Sequence, residues 1–254
     1  MRAEAFAKVT LSLRITGVHA DGYHEIDAVM VTVSEPHDIL EIEPSATTSL
    51  EIDGEFAVPA DASNLVWRAL DALGVRAAVR LHKRIPAGAG LGGGSADAAA
   101  VLRVFGGSEV VGAQLGADVP FCMRGGAARV RGIGEQIEPI ERLEQHLVIA
   151  TPRFGCVTAD VYRAWDELGG PHGEPNDLEP AAHRVEPRLV EFKRAVEDAA
   201  GQAAILAGSG SSYVVVFDDG VQAAAARQRV AEAIDGWTWL GTTCPAGDAA
   251  NGSS

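Results

Sequence analysis

Between residues 5 and 15 the apolar side chains Ala7, Val9, Leu11, Leu13 and Ile15 alternate with Lys8, Thr10, Ser12 and Arg14. A period of two with one polar face predicts a half-buried strand. After the turn signal Asp21-Gly22, residues 24–33 predict a second strand, and 38–43 and 49–53 two short ones flanking a polar stretch. The first quarter therefore reads as sheet. The period then changes. Ser63 predicts the N-cap of a helix reaching Leu73, with Leu65, Ala69, Leu70 and Leu73 on one stripe. Residues 79–85 alternate again and end at Pro86. A glycine-rich loop follows, and Ser95-Ala-Asp-Ala-Ala-Ala-Val-Leu-Arg-Val104 has strong helix propensity until Gly106-Gly107 stops it.

In the second half, residues 127–131 and 146–150 predict strands. Beyond them come a helix (158–168), a loop (169–177), a helix (187–200), strands (203–207 and 213–217), a helix (221–234) and a strand (237–242). This interleaving predicts the α+β class. The lobes divide into 1–144 and 145–244, with a small, polar, frayed tail over 245–254. A length of 254 residues suits two modest lobes with a shared cleft. There are no internal repeats.

Composition narrows the function classes. Hydrophobic residues make up 47% of the chain, enough for a core. No apolar run approaches the ~18 residues of a membrane span. Charges occupy the first eight residues, where a signal peptide would be apolar, so a cytoplasmic protein is expected. Cys122, Cys156 and Cys244 form no CxxC and join no histidine pair at metal spacing, which predicts reduced thiols and no structural metal. The net charge of −14 argues against a nucleic-acid binder, whose affinity comes from neutralising phosphates. An acidic protein can still hold an anionic nucleotide, given local backbone N–H donors, a few placed cations and Mg²⁺.

The loop offers such donors. Pro86, Ala87, Gly88, Ala89, Gly90, Leu91, Gly92, Gly93, Gly94, Ser95 and Ala96 lie between a predicted strand and a predicted helix. Glycines let backbone approach a phosphate, and the helix start aims free N–H groups at it. Ser95 can add a hydroxyl. The spacing of Gly88, Gly90 and Gly93 formally matches GxGxxG, but a dinucleotide fold wants a continuously apolar strand beforehand, and Arg80, His82 and Arg84 interrupt this one. The Lys-Ser/Thr of a P-loop is also missing.

Phosphoryl transfer to an alcohol needs positioning, charge neutralisation and often a carboxylate to receive the hydroxyl proton. Asp118, in Leu115-Gly-Ala-Asp-Val-Pro120, is the candidate carboxylate. A helix-capping or turn aspartate is the competing reading there. Lys8 on the polar face of the first strand is either a solvated edge residue or a cation that stabilises developing charge.

Several segments then fall in the order of the GHMP kinase superfamily. They are Ala7-Lys8-Val-Thr-Leu-Ser-Leu13, Asp21-Gly-Tyr-His24, the run from Pro86 to Ala100, Gly116-Ala-Asp-Val-Pro120 and Leu206-Ala-Gly-Ser-Gly-Ser211. The sequence resembles that superfamily from about Ala5 to Thr243, and its second and fourth segments resemble the branch acting on a cytidine-diphosphate alcohol. The resemblance implies a two-lobed fold with a ferredoxin-like C-terminal sandwich, the active site lying between the lobes. It implies Lys8 and Asp118 as the catalytic pair, and ATP, with Mg²⁺, held by residues 86–96 and approached by Asn64. It implies that Tyr23 and His24 hold the cytosine, and it places an aromatic at Tyr162; Thr10 and Thr158 complete the substrate side. Thr10 stands where the family usually has asparagine, and residues 105–115 are shorter than usual. The alternatives are another GHMP kinase, of homoserine or mevalonate type, or a catalytically silent nucleotide-binding protein. A monomer or weak homodimer is expected, with no nucleic-acid or membrane partner.

Overall fold

The computed structural model describes residues 1–20, 22–141, 144–173 and 175–246. Two sheets divide the described chain. The first is organised by two long strands, β1 (Arg2–Val18) and β2 (His24–Pro44), paired antiparallel from Arg2↔Glu41 to Val18↔His24. The other edge of β2 takes β4 (Ala77–Lys83) along its second half and β5 (Ala127–Gly132) along its first. β3 (Ser49–Gly54) adds in parallel to β4, and β6 (Gln136–Pro139) closes the far edge. The helices α2 (Gly93–Val104) and α4 (Val119–Arg124) pack against this sheet, and α1 (Leu65–Ala72) and α3 (Glu109–Leu115) pack on those helices. The alanine-rich α2 is buried over most of its length, because small side chains let it sit close against β1 and between α1 and α4.

The second sheet has the order β10-β7-β9-β8 and is antiparallel throughout. It consists of β7 (His146–Pro152), β8 (Ile205–Leu206), β9 (Tyr213–Phe217) and β10 (Gly236–Thr242). The helices α5 (Thr158–Glu167), α6 (Glu179–Val185), α7 (Arg188–Ala200) and α8 (Gly220–Ala233) accompany it, α7 and α8 packing on its strands. This is an α+β fold in two lobes. They are stitched together where Val33 bridges Thr243, where the Thr242 N–H donates to Ser34 Oγ at 2.9 Å, and where Leu13 bridges Asn176.

The sequence-based elements differ from these in instructive places. Residues 24–33 and 38–43 belong to one strand, since β2 keeps β1 as its partner across the turn-like Pro36. The helix after Ser63 begins one residue later: Asn64 is the cap, its Oδ1 accepting from the Val66 N–H at 2.9 Å. Three short helices were not anticipated. Two of them, α4 and α6, have a proline near their first position, Pro120 and Pro180, and none is long enough to show a 3.6-residue period. The strand expected over 203–207 is only two residues long, because Ala207 already accepts the Gly210 N–H of a tight turn. In the predicted tail Ala246 bridges Gly125; residues 247–254, like Asp21, lie outside the described residues.

Candidate active site

The lobes enclose a cleft of about 930 Å³ bounded by β1, the 86–95 loop, the start of α4, α5 and the Gly208 turn. The 86–95 loop on its wall is built from glycine geometry. Gly88, Gly90 and Gly92 have φ of 69°, 78° and 68°, a region that side chains disfavour. Two of these also have no room: a Cβ on Gly90 would lie 2.0 Å from the Ala207 carbonyl oxygen, and one on Gly92 2.8 Å from Lys8 Cγ. Gly92 is the left-handed N-cap of α2, without a capping side chain. Ala96 is the first residue of that helix to find a carbonyl, Gly92 O at 2.8 Å. The N–H groups of Gly93, Gly94 and Ser95 therefore stand at a helix N-terminus on the cleft, the arrangement that binds phosphate.

Gly93 and Gly94 differ. A Cβ on Gly93 would run inward, 2.8 Å from Ile85 Cγ2 and 3.0 Å from Lys83 Nζ, whereas one on Gly94 would meet only Leu65 Cδ1 at 3.5 Å. The exposed Gly94 is thus the position where a side chain projects on the open side of the loop. Residues 86–95 all line the cleft, as does Leu65; Ala96 is buried behind it, and Asn64 caps α1 and donates to Pro59 O at 2.7 Å.

Lys8 is not a solvated edge residue. Register shifts on both sides of it, between Phe6 and Lys8 and between Thr10 and Ser12, leave Ala7 to Thr10 buried on both faces of β1. Its backbone N–H donates to Leu91 O at 3.0 Å, which fixes the strand to the loop. Its Nζ lies 3.3 Å from Asp118 Oδ2 and donates to Thr10 Oγ1, also at 3.3 Å. Asp118 stands at the start of α4 but makes no side-chain capping bond, so its carboxylate is left for the cleft. Arg103 holds α4 in place, donating to Cys122 O at 2.7 Å and to Glu4 O at 3.0 Å. A carboxylate beside a buried ammonium at a phosphate-binding helix start can accept a proton while the cation stabilises charge on a transferring group.

Another part of the lining is aromatic. The His24 and Tyr162 rings lie 4.8 Å apart with a 40° tilt, and Trp165 meets His24 edge-on at 5.5 Å. His24 Nε2 is 2.9 Å from Asp166 Oδ1, a link from the start of β2 to α5 that spans the two lobes. Burial, and secondarily the Asp118 carboxylate, push the Tyr162 phenol up to about 12, so it stays neutral. Tyr23 stands exposed at the rim. Thr158 lines the same wall, its Oγ1 2.9 Å from Ser209 Oγ.

Sequence reasoning did not single out the Gly208-Ser209 turn, Arg163 or Asp166 as cleft residues. The turn had a signal, the Leu206-Ala-Gly-Ser-Gly-Ser211 run. It is held by Asn176, whose Nδ2 donates to Leu206 O at 2.9 Å and Gly208 O at 2.7 Å. Nothing in the sequence marks Asn176 for that task, since its partners lie in another part of the chain.

A glycine loop leading into a helix N-terminus, faced by a lysine–aspartate pair, is the arrangement expected of a GHMP-type small-molecule kinase. Residues 64–126 match the GHMP kinases N terminal domain. Along the whole chain the likeness is narrower. The 4-diphosphocytidyl-2-C-methyl-D-erythritol kinase of Paracoccus denitrificans is 35% identical over 94% of both chains. A crystal structure of 4-(cytidine 5'-diphospho)-2C-methyl-D-erythritol kinase superposes with a TM-score of 0.77 at 32% identity, covering 95% of this chain and 98% of its own. The L. major mevalonate kinase, at 16% identity and TM-score 0.67 over 96% of each chain, shares the fold alone. This chain belongs to the 4-diphosphocytidyl-2-C-methyl-D-erythritol kinase family, and it is an ATP-dependent phosphotransferase.

Proposed function

We propose that the chain transfers the γ-phosphoryl group of ATP to the 2-hydroxyl of 4-diphosphocytidyl-2-C-methyl-D-erythritol, giving the 2-phosphate and ADP, a step of non-mevalonate isoprenoid synthesis. The observation that carries this reading is the placement of Lys8 and Asp118, 3.3 Å apart, in one cleft between the α2 N-terminus and the His24–Tyr162 aromatic wall. The N–H groups of Gly93, Gly94 and Ser95 hold the phosphates, and the cytosine lies against Tyr162 and His24 with Tyr23 closing over it from the rim. Thr10 and Thr158 contact the alcohol and its linker, and Arg163 brings a cation towards the diphosphate.

In the transfer the substrate oxygen forms a bond to Pγ as the bond from Pγ to the β-bridging oxygen breaks, its electron pair leaving on ADP. The hydroxyl proton passes to Asp118, and Lys8 stabilises the charge on the equatorial oxygens. Mg²⁺ fits this site. The Ser95 hydroxyl is a hard oxygen donor on the cleft at the start of α2, and a kinase magnesium takes most of its ligands from phosphates and water. When bound, it neutralises β- and γ-phosphate charge. Three buried free thiols and an ATP requirement support a cytoplasmic location. A monomer or weak homodimer is the assembly proposed.

The experiment is ADP release over a panel of alcohols: the cytidine-diphosphate compound, free methylerythritol, mevalonate and homoserine. Release with the cytidine compound alone supports the assignment. Release with mevalonate or homoserine points to another GHMP kinase, and binding without turnover to a silent nucleotide binder.

A further inference from the structure

Behind the phosphate loop lies an ionic cluster that the chemistry above does not use. Lys83 Nζ donates to Asp38 Oδ2 at 2.5 Å and to Asp97 Oδ2 at 2.6 Å, and all three side chains are at most 2% exposed. Asp38, from β2, also accepts the backbone N–H groups of Arg84 and Ile85 through Oδ1, at 2.5 and 2.8 Å. Lys83 ends β4 just before the loop, and Asp97 lies in the first turns of α2 just after it. The cluster therefore grips the chain on both sides of residues 86–92. Its cation stands directly behind the first helical residue, since a Cβ on Gly93 would come 3.0 Å from Lys83 Nζ.

Burying three ionisable groups costs several kcal/mol per ion and is weak evidence for stability in itself. Apolar side chains of like volume would fill the space, so a cluster at this place calls for another reason, and the reason is geometry. Three N–H groups must point at one phosphate position, and directional bonds on both flanks hold that aim where apolar packing would let the helix slide. We propose that Asp97 is a positioning residue for ATP: with Lys83 and Asp38 it pins both ends of the phosphate loop and so aims the N-terminus of α2.

Asp97 is the weaker side of this grip. Its one side-chain bond among the described residues comes from Lys83 to Oδ2, and no donor reaches Oδ1. Asp38, by contrast, also holds the exit of β4 through two backbone N–H groups. Loss of the Asp97 carboxylate therefore releases the α2 flank of the loop and leaves the other flank in place.

The inference rests on the chain binding ATP, and its test reads that step alone. The dissociation constant of a non-hydrolysable ATP analogue with Mg²⁺ is measured by calorimetry for the wild type, Asp97→Asn and Asp97→Ala, beside the affinity of each for the alcohol. Asp97→Ala should weaken analogue binding by about tenfold or more with the affinity for the alcohol unchanged, and Asn, which keeps the shape and one acceptor for Lys83, should restore part of it. A folded Asp97→Ala with wild-type analogue affinity overturns the proposal, as does an equal loss of affinity for the alcohol. Should the alanine variant not fold, Asp97→Asn decides alone: weakened analogue binding supports the proposal and wild-type affinity overturns it. A wild type that binds no ATP analogue would instead remove the kinase reading.

Discussion

Lys8 and Asp118 meet at 3.3 Å across the base of the cleft, the lysine nearly buried and the carboxylate one-third exposed. That asymmetry supports the roles proposed for them. The lysine is fixed by Thr10 and by the backbone bond to Leu91, and the carboxylate is open to a substrate hydroxyl. Asp118→Asn keeps the shape and removes the proton acceptor, so kcat should fall by about 10²–10⁴ while ATP affinity holds. Lys8→Met should lower kcat through lost charge stabilisation. Single-turnover kinetics beside equilibrium ATP binding separates the two effects. Near-normal turnover in Asp118→Asn would remove that residue from the chemistry.

The loop glycines predict a contrast. Gly93 belongs to the motif yet faces inward: the side chain of Gly93→Val would press into Ile85 and Lys83 rather than towards a phosphate. It should cost stability, by about 1–3 kcal/mol of overpacking, before it reports on ATP. Gly94→Val, on the open side, should weaken ATP at least tenfold in a protein whose thermal midpoint is little changed. Equal effects of the two on both readouts would mean that the loop does not meet phosphate where α2 begins.

Asn176 should matter more than its anonymity in the sequence suggests. It is 1% exposed and uses both amide hydrogens on the Gly208 turn, while its Oδ1 accepts the Leu178 N–H at 2.9 Å. Asn176→Asp would turn a carboxylate towards two carbonyl oxygens. The expected cost is about 3 kcal/mol, read as a shift of the denaturant midpoint at constant slope. An unchanged midpoint would mean that the turn is held by its other bonds, such as Ser212 N–H to Ala89 O.

How far the sequence carried these conclusions depended on the distance over which each feature is determined. The glycine loop and α2 were legible because turn chemistry and propensity are local. The pairing of Lys8 with Asp118 was visible only through the resemblance, because alternation gave Lys8 a solvated face. Two bulges and a covering loop bury it, and neither has a signature in β1. Asp118 read equally well as a cap, and only the geometry shows its side chain making no capping bond. The Lys83–Asp38–Asp97 cluster was invisible for the same reason. Residues 79–85 read as an alternating strand with Arg80, His82 and Arg84 on its polar face, whereas Asp38 and Asp97 come from other elements to enclose Lys83.

The His24–Tyr162 wall, proposed to hold the base, predicts how the enzyme chooses its alcohol. Tyr162 packs on His24, and stacking a base on an aromatic is worth about 1–3 kcal/mol, so Tyr162→Ala should raise KM for the cytidine substrate roughly 10–100-fold. KM for ATP should stay within twofold, because the loop proposed to hold the phosphates, residues 86–95, is a different element of the lining from α5.

Rejection of smaller alcohols follows from the same wall. The reacting hydroxyl is far from the cytosine, so energy gained at the base is available to hold that hydroxyl against Asp118. An alcohol without the base loses this positioning and leaves the polar groups of the wall unpaired, a combination that discriminates by about 10⁴ where a site is built on hydrogen bonds. Free methylerythritol should therefore show a kcat/KM lower by about that factor, with kcat depressed as well as KM raised. Adding free cytidine monophosphate should not restore it, because the covalent link is what converts binding into position. Turnover of free methylerythritol at a rate comparable to the cytidine compound would detach the aromatic wall from catalysis, while Lys8, Asp118 and the glycine loop would still define a kinase.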